Sequence, residues 1–316
     1  MKIVSSAKRL KTEILNSVVN IPEAIPAPSK YALLIGGGSN PSNEGIYFRN
    51  GLLAAKQMLL ARGWSASKIK VLYGSGYVPG GGLTPVMPAT RANIIGMFGW
   101  LASVVKNTDL VYIMISTTGG GLLTHPMGSY PPGMYWGAVD TNGDEAVLHC
   151  DINGDGDRND VLRVDEAIWV WPGYKMIDDE LRVQLNRVQH YSKMIIQMDS
   201  SFCGGFIRDL TGPRRMIVTS VGPDRLSWNE PSNQWDAFTP WWLGAFIGHR
   251  PWSGVAVAAD ANGNGKVSIV EAYNRARLLG IQPGVAGYED NGAYPGWCAQ
   301  MPHGGDGALG AATYLN

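Results

Sequence analysis

The chain has 316 residues, 26 Lys+Arg against 26 Asp+Glu, and 45% apolar residues, which is length and apolar content enough for a large buried core. A zero net charge with only 16% charged residues leaves no basic stripe for nucleic acid or an anionic membrane surface. No apolar run approaches the ~20 residues that span a bilayer, so neither nucleic-acid binding nor a membrane span is expected.

The first 30 residues lack the apolar stretch of a secretory signal and leave the compartment open. Ile3, Leu10, Ile14 and Val18 recur at roughly helical spacing, and Pro22, Pro26 and Pro28 then stop the pattern, so residues 1–30 read as an amphipathic helix on a stiff linker. That helix either packs on the main domain or docks on a neighbouring subunit. Residues 31–35, YALLI, form a short apolar run ended by three glycines, as a buried parallel strand would be. Helix is expected over 47–62, strand over 69–73, helix over 90–106 and strand over 109–116. After a long insertion at about 133–180 come a helix over 181–189 and strands over 193–198 and 215–220. Strands that alternate with helices predict an α/β fold with a mostly parallel sheet covered on both faces. Its active groups belong in the loops after residues 35, 115 and 198, beyond the strands' C-terminal ends. The main domain is expected to span 31–290, with a Gly-rich tail over 291–316. Neither the three glycines 36–38 nor Gly263-Asn-Gly-Lys266 has the spacing of a dinucleotide or phosphate loop.

The segment Asp260-Ala-Asn262-Gly-Asn264-Gly265-Lys266-Val-Ser268-Ile-Val-Glu271 matches the twelve-residue EF-hand calcium loop slot by slot. Asp260, Asn262 and Asn264 supply side-chain oxygens at positions 1, 3 and 5, Gly265 turns the chain, Lys266 offers its carbonyl, and Glu271 is the bidentate ligand at 12. A helix is expected over 272–279 and a strand over 255–259. Only two side-chain ligands are carboxylates, which predicts weak Ca²⁺ binding suited to a calcium-rich extracellular setting; an ion-free Asn/Gly turn is the competing reading. The insertion repeats the theme in Asp140, Asn142 and Asp144, then in Asp151, Asn153, Asp155 and Asp157, followed by Asp165 and Glu166. Glu145 replaces the turn glycine of the first copy and Leu162 stands where the second needs its Glu, so a distorted calcium loop or a solvated acidic turn is expected there.

Strand 193–198 runs into Asp199-Ser200-Ser201-Phe202-Cys203-Gly204-Gly205, a small-residue loop of the kind that exposes a nucleophile and offers backbone N–H groups to an oxyanion. Here the sequence resembles the caspase-like cysteine peptidases, most nearly the bacterial relatives of the legumain type. The resemblance spans roughly residues 30–280 and rests on YALLIGGG, ARGW, KIKVLYG, DLVYIMIS, QMDSSFCGGF, IVTSVGPDRLSW and the calcium loop before EAYNRA. It implies a three-layer sandwich around the parallel sheet, and a catalytic His-Gly and Asp-x-Cys-x-Ser-Gly pair of motifs.

Both catalytic positions depart from that pattern. Thr118 stands where the family has His, and Ser201 where it has Cys, with Cys203 at the following Ser. Without an imidazole, neither hydroxyl nor thiol has its usual activator, and Thr118 cannot serve as a general base. A shifted dyad of Cys203 with His125 is conceivable, as is Ser201 acting in a hydrolase; otherwise Cys203 is a small buried hydrophobe. The remaining histidines, His149, His190, His249 and His303, read as surface or packing residues. Three cysteines, Cys150, Cys203 and Cys298, cannot close a disulfide framework. In the stretch implied to shape the substrate pocket, Asp224 and Arg225 either read a charged or amide side chain or form a turn. Trp235, Trp241, Trp242 and Trp252 are either core under long loops or a contact face. The combined expectation is a caspase-like domain with its dyad lost, stabilised by calcium and acting as a binding or assembly protein toward a protein partner or its own copies. An active cysteine peptidase is the alternative.

Overall fold

The computed structural model describes residues 27–42, 45–77, 82–122, 134, 138–139, 147–148, 160–161, 164–232, 234–279, 287–290 and 307–316. The N-terminal helix expected before the proline linker, His125, His149, His303, Cys150, Cys298 and the calcium-loop residues Asp140, Asn142, Asp144, Asp151, Asn153, Asp155 and Asp157 lie outside these.

In chain order the strands are β1 (Lys30–Gly37), β2 (Ile69–Tyr73), β3 (Leu110–Thr117), β4 (Gly119–Gly120), β5 (Ala167–Val170), β6 (Tyr174–Ile177), β7 (Lys193–Asp199), β8 (Arg215–Thr219) and β9 (Gly287–Asp290). The helices are α1 (Ile46–Ala61), α2 (Arg91–Val104), α3 (Asp178–Leu185), α4 (Phe206–Leu210), α5 (Thr239–Ile247), α6 (Ile269–Leu279) and α7 (Ala308–Ala311). Two short antiparallel ladders, Ala138–Val139 with Val164–Asp165 and Val147–Leu148 with Asp160–Val161, stand within the insertion.

The central sheet has the order β9-β8-β7-β3-β1-β2. Its first five strands in sequence run parallel, and β9 adds an antiparallel edge against β8. Alternate residues of the apolar runs feed two cores. Ala32, Leu34, Tyr112, Met114, Ile195 and Val218 face α1, α5 and α6, while Leu33, Ile35, Ile113, Ile115, Ile196 and Met198 face α2, α3 and α4. The continuous apolar strands follow from this two-sided covering, and the result is the expected α/β three-layer arrangement with a mostly parallel sheet. In α1 the buried Phe48, Leu52, Ala55 and Leu59 repeat every three to four residues on the sheet side. Thr90 caps α2, its hydroxyl accepting from Asn93 N–H at 3.2 Å, and Gly248 in the left-handed region ends α5.

One expectation needs correction. Residues 255–259 do not form a strand: Val255 is 51% exposed, and only Ala256 bridges to His249. That apolar run lies across the connection from α5 to α6, where Val257 alone of its two valines is buried. The last ten residues pack against the main domain. Leu315 is wholly buried, Trp64 Nε1 donates to its carbonyl at 3.1 Å, and Ile269 N–H donates to Thr313 O at 3.0 Å. A Leu side chain buried in this way stabilises the fold by roughly 2 kcal/mol.

Candidate functional site

The strand order sets β3 and β7 side by side, with Ser116 opposite Asp199 at their C-terminal ends. Beyond them Thr118 and Ser201 line one cleft of about 420 Å³, together with Gly119, Met134, Trp169, Leu226, Ser227 and Trp228. The two positions that the resemblance pairs are thus brought together. Ser201 Oγ accepts from Ser227 N–H at 3.1 Å, which fixes the hydroxyl oxygen and leaves its proton to be donated elsewhere. Thr118 is held through its backbone, its carbonyl accepting from Trp169 N–H at 2.8 Å. Among the described residues the lining carries no imidazole, thiol or charged side chain.

Close backbone approach explains the glycines around this cleft. A Cβ on Gly119 would stand 1.9 Å from Ser201 O, one on Gly121 2.6 Å from the Phe202 ring, and one on Gly204 2.6 Å from the Gly222 backbone. A side chain on Gly205 would run into the Glu166 carboxyl. Phe202 itself adopts a φ of 61°, held by its buried ring and by its N–H donating to Arg225 O at 2.7 Å. A bulky residue in that region is strained and persists only when its surroundings over-determine it.

Cys203 is placed elsewhere. It is 0% exposed, with Sγ 3.4 Å from Ser220 Oγ and 3.7 Å from the carbonyls of Met198 and Val221. Burial pushes its thiol up, so both access and ionisation oppose a nucleophilic role. Its placement is that of a small buried side chain; His125, the other half of the shifted dyad, lies outside the described residues. His190 Nδ1 lies 3.3 Å from Asn107 Oδ1 and His249 Nδ1 3.2 Å from Arg250 O; both are exposed and neither lines the cleft. Asp224 is buried, and neither it nor Arg225 lines the cleft. Of the clustered tryptophans, Trp242 is core, with Nε1 donating to Tyr112 OH at 3.1 Å. Trp235 stacks on Trp252 at 4.9 Å, and the Arg250 guanidinium lies over Trp252 at 3.7 Å and Trp241 at 4.3 Å.

On the α1–α5 side of the sheet ends lies a buried polar chain with no counterpart in the sequence reading. Tyr112 OH donates to Gln197 Oε1 at 3.1 Å, Gln197 Nε2 to Thr239 Oγ1 at 3.0 Å, and Thr239 donates to Asp199 Oδ2 from its hydroxyl at 2.6 Å and its N–H at 2.9 Å. Ser116 Oγ donates to Asp236 Oδ2 at 2.7 Å. Burial raises both carboxyls, and the Asp199 charge raises Asp236 further. Asp236 could not be found from the sequence, because nothing within WDAF marks it as a partner of a residue 37 positions earlier.

The loop 260–271 closes on itself. Asp260 Oδ1 and Oδ2 accept from Asn264 and Gly265 N–H at 3.1 and 2.8 Å, Asn262 Oδ1 from Asn264 N–H at 3.0 Å, and Asn264 Oδ1 from Lys266 N–H at 2.9 Å. Glu271 Oε1 accepts from Ala261 and Asn262 N–H, and Oε2 from Ser268 N–H and Oγ. Against the opposing effect of burial, these donors hold the Glu271 carboxyl below its usual range. The donor set is all oxygen: two carboxylates, two amides, a carbonyl and a hydroxyl, which is the chemistry of a hard cation. Among the described residues no group of three or more His, Cys, Asp or Glu side chains gathers as a metal cluster, and this loop offers two.

No protein-family model matches the chain, and no curated protein matches it. A crystal structure of a protein from Geobacter sulfurreducens is similar in fold, with a TM-score of 0.52 and 15% identity over 83% of this chain and 92% of that one. The likeness is one of fold alone. Among the described residues no helix is long and apolar enough to cross a membrane.

Proposed function

We propose that this chain is a caspase-like domain of the legumain type whose peptidase dyad is replaced, working as a non-catalytic, calcium-stabilised binding or assembly protein. The observation that carries the reading is the cleft shared by Thr118 and Ser201 at adjacent strand ends, with no described acid–base group in its lining. Acyl transfer needs a base within hydrogen-bond reach of the nucleophile, and binding does not. A lining that combines Trp169 and Trp228 with the hydroxyls of Thr118, Ser201 and Ser227 suits a neutral ligand with hydrogen-bond acceptors. The partner is a protein segment or a second copy of this chain, with residues 1–30 and the Trp235–Trp252 surface as further joints. Ca²⁺ is held by Asp260, Asn262, Asn264, Lys266 O and Glu271, with Kd on the order of 10⁻⁴ to 10⁻³ M, as in extracellular modules. The acidic insertion is a second candidate site.

Labelling at neutral pH in millimolar calcium tests the reading. A fluorophosphonate should leave Ser201 unmodified, iodoacetamide should leave Cys203 unmodified in the folded protein, and peptide substrates should not turn over. Turnover that disappears in Ser201→Ala would restore a hydrolase, and turnover that disappears in Cys203→Ala would restore a cysteine peptidase.

A further inference from the structure

Two buried carboxyl groups, Asp199 and Asp236, lie close in the chain to residues that line the cleft. Asp199 ends β7, two residues before Ser201, which lines the cleft. Asp236 belongs to the described residues 228–232 and 234–237, which pair through Ala237 N–H to Trp228 O at 2.8 Å, Glu230 N–H to Trp235 O at 2.9 Å, and a bridge between Asn229 and Asp236. Trp228, at the start of that segment, lines the cleft and is 38% exposed. Asp236 is anchored by Ser116, the residue opposite Asp199 on the neighbouring strand. One acid therefore lies two residues from Ser201 and the other in the segment that begins at Trp228, both of which line the cleft.

The groups around the pair are neutral donors. From α5 Thr239 donates twice to Asp199, from the end of β8 Ser220 donates to it, and from β3 Ser116 donates to Asp236. The other titratable neighbours are Tyr47 of α1, which burial pushes up and which lies near Asp236, and Cys203 behind Ser220. Among the described residues no Lys, Arg or His acts on either carboxyl. Two buried carboxylates with no cation cannot both ionise without repulsion in a weakly screened site.

We infer that Asp199 and Asp236 are a proton-held latch: a proton kept on the pair lets the 228–237 segment close on the Ser201 strand, and its loss as pH rises frees that segment and opens the cleft. The consequence for ligand binding rests on the cleft being the binding site; the latch itself does not. The sign follows from linkage. The closed form keeps a proton that the open form gives up at ordinary carboxyl values, about 3.9. Opening therefore becomes easier by up to about tenfold per pH unit for each proton released, from that value up to the raised one, and levels off beyond.

Hydrogen exchange of the full chain, corrected for intrinsic rate, reads this without any ligand. Between pH 5 and pH 8 the protection of residues 226–239 should fall by about tenfold or more, while β1 and β3 keep theirs. In Asp236→Asn, which retains an acceptor for Ser116, protection of 226–239 should depend on pH much less steeply. Equal protection at both pH values in the wild type, or an unchanged slope in Asp236→Asn, overturns the latch. If that variant does not fold, carbon-13 carboxyl titration in an Asp178→Asn background decides. An aspartate titrating well above the ordinary carboxyl value is expected, and all aspartates near that value would refute it. Because exchange and titration need no ligand, a failure to find one would count against the binding reading and leave the latch standing.

Discussion

Two glycine-rich loops, the one after β7 and the one over 260–271, are built on different physics. In the loop after β7, Gly204 and Gly205 are required by what lies against them, and Gly119 is required by Ser201. In the loop 260–271, Gly263 and Gly265 have nothing within 4 Å of an added Cβ, yet both have positive φ, 71° and 77°. The first loop takes its shape from distant parts of the chain, whereas the second satisfies its backbone with its own Asp260, Asn262, Asn264 and Glu271. A self-contained loop can be read from twelve letters; a loop held by neighbours cannot.

The sharpest way to break this contrast is to add one methyl to each kind of glycine. Gly119→Ala should cost about 3 kcal/mol or more, because the new Cβ meets Ser201 backbone that cannot move freely. Gly263→Ala should cost about 1 kcal/mol, the strain of an L residue at that φ. Urea unfolding of the two variants checks the order, and equal losses would erase the distinction. Next in size is a pH effect close to the first loop. Burial, with the Asp209 and Asp165 charges adding to it, pushes the Asp178 carboxyl up to about 8. Its folded value exceeds its unfolded one, so its stabilisation is complete below about pH 4 and is lost as pH rises toward 8, by up to about 1.4 kcal/mol per pH unit. The urea midpoint should fall from pH 6 to pH 8, and Asp178→Asn should flatten that fall.

On the calcium side, Glu271→Gln should abolish the rise in Tm that millimolar Ca²⁺ gives the wild type, a rise of about 2 to 4 °C for ~1 kcal/mol of linked binding. Magnesium, which resists dehydration, should give less. The smallest effect is expected at Cys203→Ala, roughly 1 kcal/mol for a small buried side chain, with calcium stabilisation unchanged. A thermal scan measures both.

How far the sequence reaches depends on the range of the contacts. The helix expected over 47–62 is found at Ile46–Ala61 and the strand over 69–73 at Ile69–Tyr73, because one periodicity and one buried apolar run determine each. The sheet's antiparallel edge, Gly287–Asp290, was missed because its four residues GYED carry no apolar run and pair only through β8. The small sheet of β4, β5 and β6 was missed likewise, since a two-residue strand such as Gly119–Gly120 is defined by its partner. Packing of Leu315 beside Trp64 joins residues 251 positions apart, which no local pattern reports. At the site, Thr118 and Ser201 were legible through the resemblance, while Trp169 and Asp236 enter only through tertiary pairing.

The proposal that the Thr118–Ser201 cleft works without a catalytic base is tested most directly by a calcium-loaded crystal structure of the full chain. The quantity is the distance from Ser201 Oγ to the nearest imidazole nitrogen. No imidazole within about 3.5 Å is expected. His125, or any other histidine, within about 2.6 to 3.2 Å would contradict the claim and return the chain to the hydrolases.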